Sequence, residues 1–475
     1  MARIWSMMDI GKRSMMNSQT SLQTVAHNIA NKNTEGYSRQ RVDTVSNEPI
    51  GEGKLRIGMG ARAAAVTRIN NPFLEKQLER EGATLGYVEG RADLMGRVEQ
   101  VYNEQTTKGL NQYMGEFFNS FRELSNNPES LAARSMVKET GEFLTKNFQH
   151  VTTQLGSIQG DADFRIATKV EEINHMTKEI ANLNGKISSV EITGATANDE
   201  RDRRDELVKE LGQKVNIKYA EGKSGQLSIT AGSTALLVSG ESYCELKCAP
   251  TGQRVDKKEG NFDIFYKSTE NSTPVNVTKQ FSGGEIGGLL NVRDEIVNQS
   301  IDKLDELAYS LATEVNKAHV EGFNRYDQEG TLFFNQPGTA KGASSAISLN
   351  KAVLEDVNLI AAAAQDKAPG DNRIANIISA LEYKQGMREG TSTFDDFYGG
   401  IVGQIGIEAQ RANTAMESQK DIVSQLKNIR ESVSGVSLDE ETTKMIEFQK
   451  SFDASARLIK TADEMMDTVL NLKRL

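Results

Sequence analysis

The stretch LDEETTKMIEFQKSFDASARLIKTADEMMDTVL, residues 438–470, carries an apolar side chain at every seventh position: Leu438, Met445, Phe452, Ile459 and Met466. Phe448, Ser455, Ala462 and Val469 fill the offset row, and the two rows share one helical face, the signature of a coiled-coil seam. The other end of the chain repeats the pattern. Met8, Met15, Leu22 and Ile29 are seven apart, and Val25 stands in a second row with the small residues Gly11 and Ser18. Short helices are marginal in water without a packing partner. The two ends are therefore expected to pair as a terminal coiled-coil domain of residues 1–70 and 431–475. Gly11, Ser18 and Ser455 are expected to leave gaps, so that the ends stay loosely ordered alone and consolidate against each other and against neighbouring subunits. That is the behaviour of an assembly protein.

Between the ends the texture changes twice. From 71 to 212 the chain is rich in Glu, Lys, Gln, Leu and Ala, with apolar residues spaced by three and four. Leu110, Met114, Phe117, Phe118, Phe121 and Leu124 make one such face, and Pro128 closes that helix because the residue before a proline disfavours the α region. From 213 to 282 come short β-branched or aromatic runs, NIKYA, GQLSIT, TALLVSG, FDIFYK and VNVTKQF, bounded by Gly, Ser, Asn and Pro. SGGEIGG at 282–288 marks the return to helix, with a less regular stretch between Asn324 and Gly370. The expected fold is mainly α with an inserted β-rich domain: a helical, rod-like core of 71–212 and 283–430, a β-rich outer domain of 213–282, and the terminal coiled coil.

Composition narrows the function classes. A net charge of −10 and a pI near 5.3 argue against nucleic acid or an anionic membrane as partner. No apolar run approaches a membrane span. The amino end lacks the apolar core and cleavage site of a secretory signal, which keeps the protein in the cytoplasm unless another export route reads it. Cys244 and Cys248, on one strand, would have Cα atoms about 13 Å apart, too far for a disulfide, so two free thiols are expected. No phosphate loop, HExxH, GxSxG or Cys/His cluster occurs, so no catalytic residue, cofactor or metal is assigned and the chain is not expected to be an enzyme. Asp199, Glu200, Asp202, Asp205 and Glu206 alternate with Arg201, Arg203 and Arg204, a solvated or interdomain ion-pair stretch rather than a cation site. Lys12 and Arg13 stand against the acidic total as a partner contact or as solubilising charge.

One stretch fits none of these textures. NIANKNTEGYSRQ at 28–40 stops the first helix at NKN, supplies a residue able to take φ > 0 at Gly36, and then has Tyr37 and Arg39 project from an extended segment. By composition this is a loop with a snorkelling cation. Yet ANKNTEGYSRQ after an N-terminal heptad helix resembles the motif of the axial proteins of the bacterial flagellum (rod, hook and hook-associated proteins). FQKSFDASARLIKTADEMMDTVLNLKRL at 448–475 resembles their C-terminal signature. GYSRQ, NDERDRRDELVKELGQKVNI at 198–217, the stretch 287–324 and PGDNRIANIISALE at 369–382 are similar to the hook-associated protein 1 family, which forms the hook–filament junction. The resemblance covers most of the chain and departs in the short β-rich middle, where a further outer domain is expected to be reduced or missing.

The resemblance implies a structural protein with Asn31, Asn33, Thr34, Gly36, Tyr37 and Arg39 as its motif residues. It further implies uncleaved export through the flagellar type III export apparatus and an export chaperone at the C-terminal helix. Self-assembly into a ring follows, between the hook protein and a second hook-associated junction protein. A hook or rod protein shares both terminal signatures and is the alternative within the family. A secreted enzyme on a flagellar scaffold is the alternative from another class, and 213–282 offers it no nucleophile–base pair.

Overall fold

The computed structural model describes residues 2–472 apart from 53–54, 104–107, 223, 252–260, 269–271, 336 and 388–389; the KRL end of the C-terminal signature lies outside the described residues. The chain opens with helix α1 (Ala2–Ala30), followed by two antiparallel strand pairs, β1 (Gln40–Ser46) with β4 (Ala61–Arg68) and β2 (Ile50–Glu52) with β3 (Leu55–Ile57). Four helices build the first part of the body: α2 (Pro72–Val101), α3 (Leu110–Asn126), α4 (Leu131–Glu191) and α5 (Asn198–Lys214). The Asn71 side chain caps α2 ahead of Pro72 at its first position, and the Ser130 hydroxyl caps α4.

The inserted region holds two antiparallel sheets. One orders β5 (Ile217–Glu221), β6 (Leu227–Ala231), β7 (Ala235–Ser239) and β8 (Ser242–Tyr243) in sequence; the other orders β11 (Val275–Asn276), β10 (Phe262–Tyr266) and β9 (Leu246–Pro250). Helix α6 (Gly284–Leu290) runs through a π-helical segment at Asn291–Val297 into α7 (Asn298–Val320). The stretch after it carries only short elements: β12 (Phe334–Asn335), α8 (Ala343–Ala346), β13 (Ser348–Leu349), α9 (Lys351–Glu355) and α10 (Arg373–Ala380). Two long helices end the chain, α11 (Phe394–Ser434) and α12 (Leu438–Leu472). The architecture is mainly α with an inserted β region. Among the described residues no helix is long and apolar enough to cross a membrane.

Helix α4 is the spine. Its 61 residues span about 90 Å at 1.5 Å per residue. Val137, Leu144, Val151 and Ile158, then Ile166, Ile173, Ile180 and Ile187, recur by sevens and are all buried, the first seven in one continuous core with Phe117, Phe121, Phe333 and Leu304. Polar residues on the same helix hold the strands. Asp163 accepts from the Phe262 amide at 3.1 Å, Asn174 exchanges two 2.8 Å bonds with the Leu246 backbone, and Asn184 donates to Leu227 and Gly240 carbonyls at 2.8 Å. Arg293, from the π-helical segment, closes the Asp163 site at 2.6 Å as a buried ion pair. Cys244 and Cys248 are free thiols, and burial pushes the Cys248 thiol up to about 11.

Two expectations are corrected. The segment after the first helix forms strand pairs: β-branched Val42, Thr44, Val45, Val66 and Thr67 favour an extended chain, and the antiparallel ladder sets Val42 opposite Val66. Gly11, Ser18 and Ser455 do not leave gaps. They are points of close approach between α1 and α12, where a Cβ on Gly11 would lie 2.7 Å from Cγ1 of Ile459.

Candidate functional site: the joint between the chain ends and the helical body

Helices α1 and α12 lie antiparallel. Ser455 Oγ donates to Ser14 Oγ at 2.7 Å, Ser18 Oγ to Ser451 Oγ at 3.1 Å, and Asn28 Nδ2 to Glu441 Oε2 at 2.8 Å. Val25 and Ala462 are buried in this seam. Met8, Met15, Leu22, Ile29, Met445, Phe448, Phe452, Ile459 and Met466 are only half-buried, and Leu438 and Val469 are each 38% exposed. Trp5, Met16 and Ile446 are more than half exposed. Small and hydroxylic residues thus make the tight contact, and the larger apolar side chains flank it with surface to spare.

At the lower end of this pair sits the NTEGYSRQ motif. Asn31 bonds back to the His27 carbonyl at 3.1 Å, Thr34 Oγ1 donates to Asn31 Oδ1 at 3.2 Å, and Gly36 takes φ +80°, where a Cβ would strike Glu206 Oε2 at 2.9 Å. Asn33 is exposed. Tyr37 and Arg39 do not project to solvent as expected; both turn inward because buried polar groups await them. The Tyr37 hydroxyl donates to Asn28 Oδ1 at 2.7 Å, and burial together with Asp199, Asp202 and Glu441 raises its pKa. Arg39 pairs with Glu440 and Glu441, both at 2.7 Å. Burial opposes its charge, but those two carboxylates outweigh it and raise the pKa of the guanidinium.

Asn28 is the hub. Its amide donates to the Gln40 carbonyl (2.9 Å) and to Glu441, while its oxygen accepts from Tyr37 and the Gln40 amide (3.0 Å), so all four of its bonds are made. The body supplies the outer ring. Asp202 accepts from the Ser38 amide at 2.8 Å and pairs with Arg68 at 2.6 Å; Asp199 accepts from Gln40 at 2.7 Å. Arg430 donates to the Gly36 carbonyl at 2.9 Å and pairs with Glu75 at 3.0 Å. Lys209 also pairs with Glu75, at 2.5 Å. The acidic–basic stretch at 199–206 therefore belongs to a polar network that ties α5 to the segment after α1, and no described group of His, Cys, Asp or Glu could hold a metal ion.

Asn28, Gln40, Glu441, Arg430 and Arg68 were not picked out from the sequence. Glu441 had a signal: it precedes Phe448 by seven, a carboxylate in an otherwise apolar or small row. Such a residue is tolerated only with a buried cation beside it. Lys12 is exposed, and Arg13 lies 3.9 Å from Asp9, one turn away.

A sequence model of the flagellar hook-associated protein FlgK helical domain matches residues 95–334, more than half of the chain. A model of the flagellar basal body rod FlgEFG protein C-terminal region matches 431–472, the tail signature. Flagellar hook-associated protein 1 of Bacillus subtilis (strain 168) is 29% identical, covering 98% of this chain and 97% of its own. The proteins of that name from Escherichia coli K12 and Salmonella typhimurium are each 25% identical, over 96% of this chain and 97% of theirs. The flagellar hook junction protein FlgK from Burkholderia pseudomallei has the same fold, with a TM-score of 0.67 at 15% identity over 75% of this chain and all of that one. With a helical-domain match over most of its core and full-length relatives of a single name, the chain belongs to the FlgK family of flagellar hook-associated proteins.

Proposed function

We infer that the paired chain ends are the assembly stalk of this structural protein, whose place in the flagellum is the junction of hook and filament. The observation that carries the reading is the Arg39–Glu441 pair, with Asn28 bonded to the same buried carboxylate, which joins the motif after the first helix to the first turn of the last one. Both ends are thereby held at a defined angle on a helical body, and the half-buried apolar rows beside the seam are left to meet other subunits. Self-assembly into a ring, contact with the hook protein on one side and a second hook-associated junction protein on the other, and the seam role of Met8, Met15, Leu22, Val25, Ile29, Leu438, Met445, Phe448, Phe452, Ile459, Ala462, Met466 and Val469 belong to this proposal. So do a division into 1–70 with 431–475, 71–212 with 283–430, and 213–282, uncleaved type III export, and chaperone binding at the C-terminal helix.

The test is the double change Phe452→Asp and Ile459→Asp in the full chain. Assembly onto hooks is expected to be lost while the calorimetric transition of the helical body stays in place. Loss of that transition, or normal attachment of filaments in cells carrying the variant, overturns the reading.

A further inference from the structure

At the N-terminal end of α4, far along the helix from the joint, a cavity of about 280 Å³ opens between that helix, the loop after α7 and the loop before α10. Two stretches that carried the family resemblance line it: Phe323 and Asn324 at the end of 287–324, and Pro369 and Asp371 at the start of 369–382. Neither has any part in the joint.

The charge inside it is unbalanced. Arg134 is 3% exposed, and the guanidinium donates only to carbonyls, those of Ile360 and of Pro128 (2.9 Å); its Nε has no hydrogen-bond partner. Among the described residues no carboxylate pairs with it. Arg134 also sits in the first turn of α4, where the helix dipole is already positive and no acidic residue answers it. Burial, and then Arg325, push its pKa down to about 10. Asn324 is 5% exposed; its oxygen accepts from the Tyr326 and Gln328 amides, and its Nδ2 has no partner. Arg325, exposed at the mouth, makes hydrogen bonds only to Asn358 among the described residues.

Two of the three carboxylates on the wall are bonded elsewhere, and the third is exposed. Asp371 accepts from the Ala364 amide at 2.8 Å and pairs with Arg373 at 2.9 Å. Asp327, at φ +60°, accepts from the Lys367 amide at 3.0 Å, and Glu129 faces solvent. A buried cation without a counter-charge is costly, and so is a buried amide N–H without an acceptor. One oxyanion relieves both.

We propose that this cavity is a carboxylate-binding site, with Arg134 and Asn324 as its inner donors and Arg325 at its mouth. A guanidinium N–H and an amide N–H lining one cavity suit the two oxygens of a carboxylate, and the volume admits a group of the size of an acidic side chain. The carboxylate is either free in solution or an acidic side chain of another copy of the chain; the chemistry is the same.

The probe is glutarate, titrated calorimetrically into the full chain against glutaramide at matched ionic strength. One-to-one binding of glutarate and none of glutaramide is expected. Arg325→Gln, at the exposed mouth, should weaken glutarate by about fivefold or more without altering the melting transition, and Arg134→Met should abolish binding. Equal heats for the two probes, or an Arg325→Gln variant that binds as the wild type does, overturns the proposal. Sedimentation velocity with and without glutarate identifies the source. A shift toward monomer assigns the natural carboxylate to a second copy, and an unchanged profile assigns it to a free ligand. The site stands on Arg134, Asn324 and Arg325 whether or not the assembly reading holds.

Discussion

His319 is wholly buried; its Nδ1–H donates to the Thr331 carbonyl at 2.5 Å and its Nε2 accepts from the Ala361 amide at 2.9 Å, so both nitrogens are used by the neutral ring. Burial lowers its pKa to about 4. A histidine depressed in this way contributes stability that is complete above its unfolded value of about 6.5 and is lost as pH falls toward 4. Unfolding by urea at a series of pH values should show a loss of about 3 kcal/mol across that window, and His319→Gln should lack that share of the slope. At the joint, Arg39→Ala leaves Glu441, 1% exposed, with Lys444 at 3.9 Å as its one remaining cation among the described residues, and a loss of about 3 kcal/mol is expected in chemical denaturation. If it costs no more than a surface pair, the joint is not the lock described. In sequence these residues differ in legibility. Gly36 announced its positive φ, whereas Arg39 and Asn28 gave no sign of the partner they meet about 400 residues away.

Helix α2 shows why element boundaries were readable and their packing was not. Gly82, Gly86 and Gly90 recur at one-turn spacing, and glycine within a helix costs up to about 1 kcal/mol against alanine. Their use is close approach: a Cβ on Gly86 would lie 2.0 Å from the Gln213 carbonyl, one on Gly90 2.8 Å from that of Glu285, and one on Gly288 of α6 2.2 Å from that of Tyr87. Gly288→Ala should therefore destabilise the body by about 1–3 kcal/mol. Gly96→Ala, where a Cβ meets open space, should be neutral or stabilising by up to about 1 kcal/mol. Equal effects at the two sites would remove the close-approach argument. The same limit applies to α4. The three-and-four spacing of 71–212 was legible as helix, but the spacing of Asp163, Asn174 and Asn184 to three strands of the insert emerges only when the chain is folded against it.

On the scale of the molecule, the body has one deep continuous core, while α1 and α12 share a narrow seam of serines and Gly11 and leave larger apolar groups at the surface. Amide exchange should follow that division, fast in α1 and α12 of the free chain and slow in the buried middle of α4. Uniform protection would contradict the assembly role of the ends. From the sequence alone came the fold class, the helical ends, the β-rich insert and the family, because periodicities of seven and two are local and survive without coordinates. The fit of Gly11 against Ile459, the inward turn of Tyr37 and Arg39, and the unpaired charge of Arg134 were decided by the tertiary structure. Each depends on which distant group shares a buried volume, and burial is what turns a loop residue into a lock or a lone cation into a binding site.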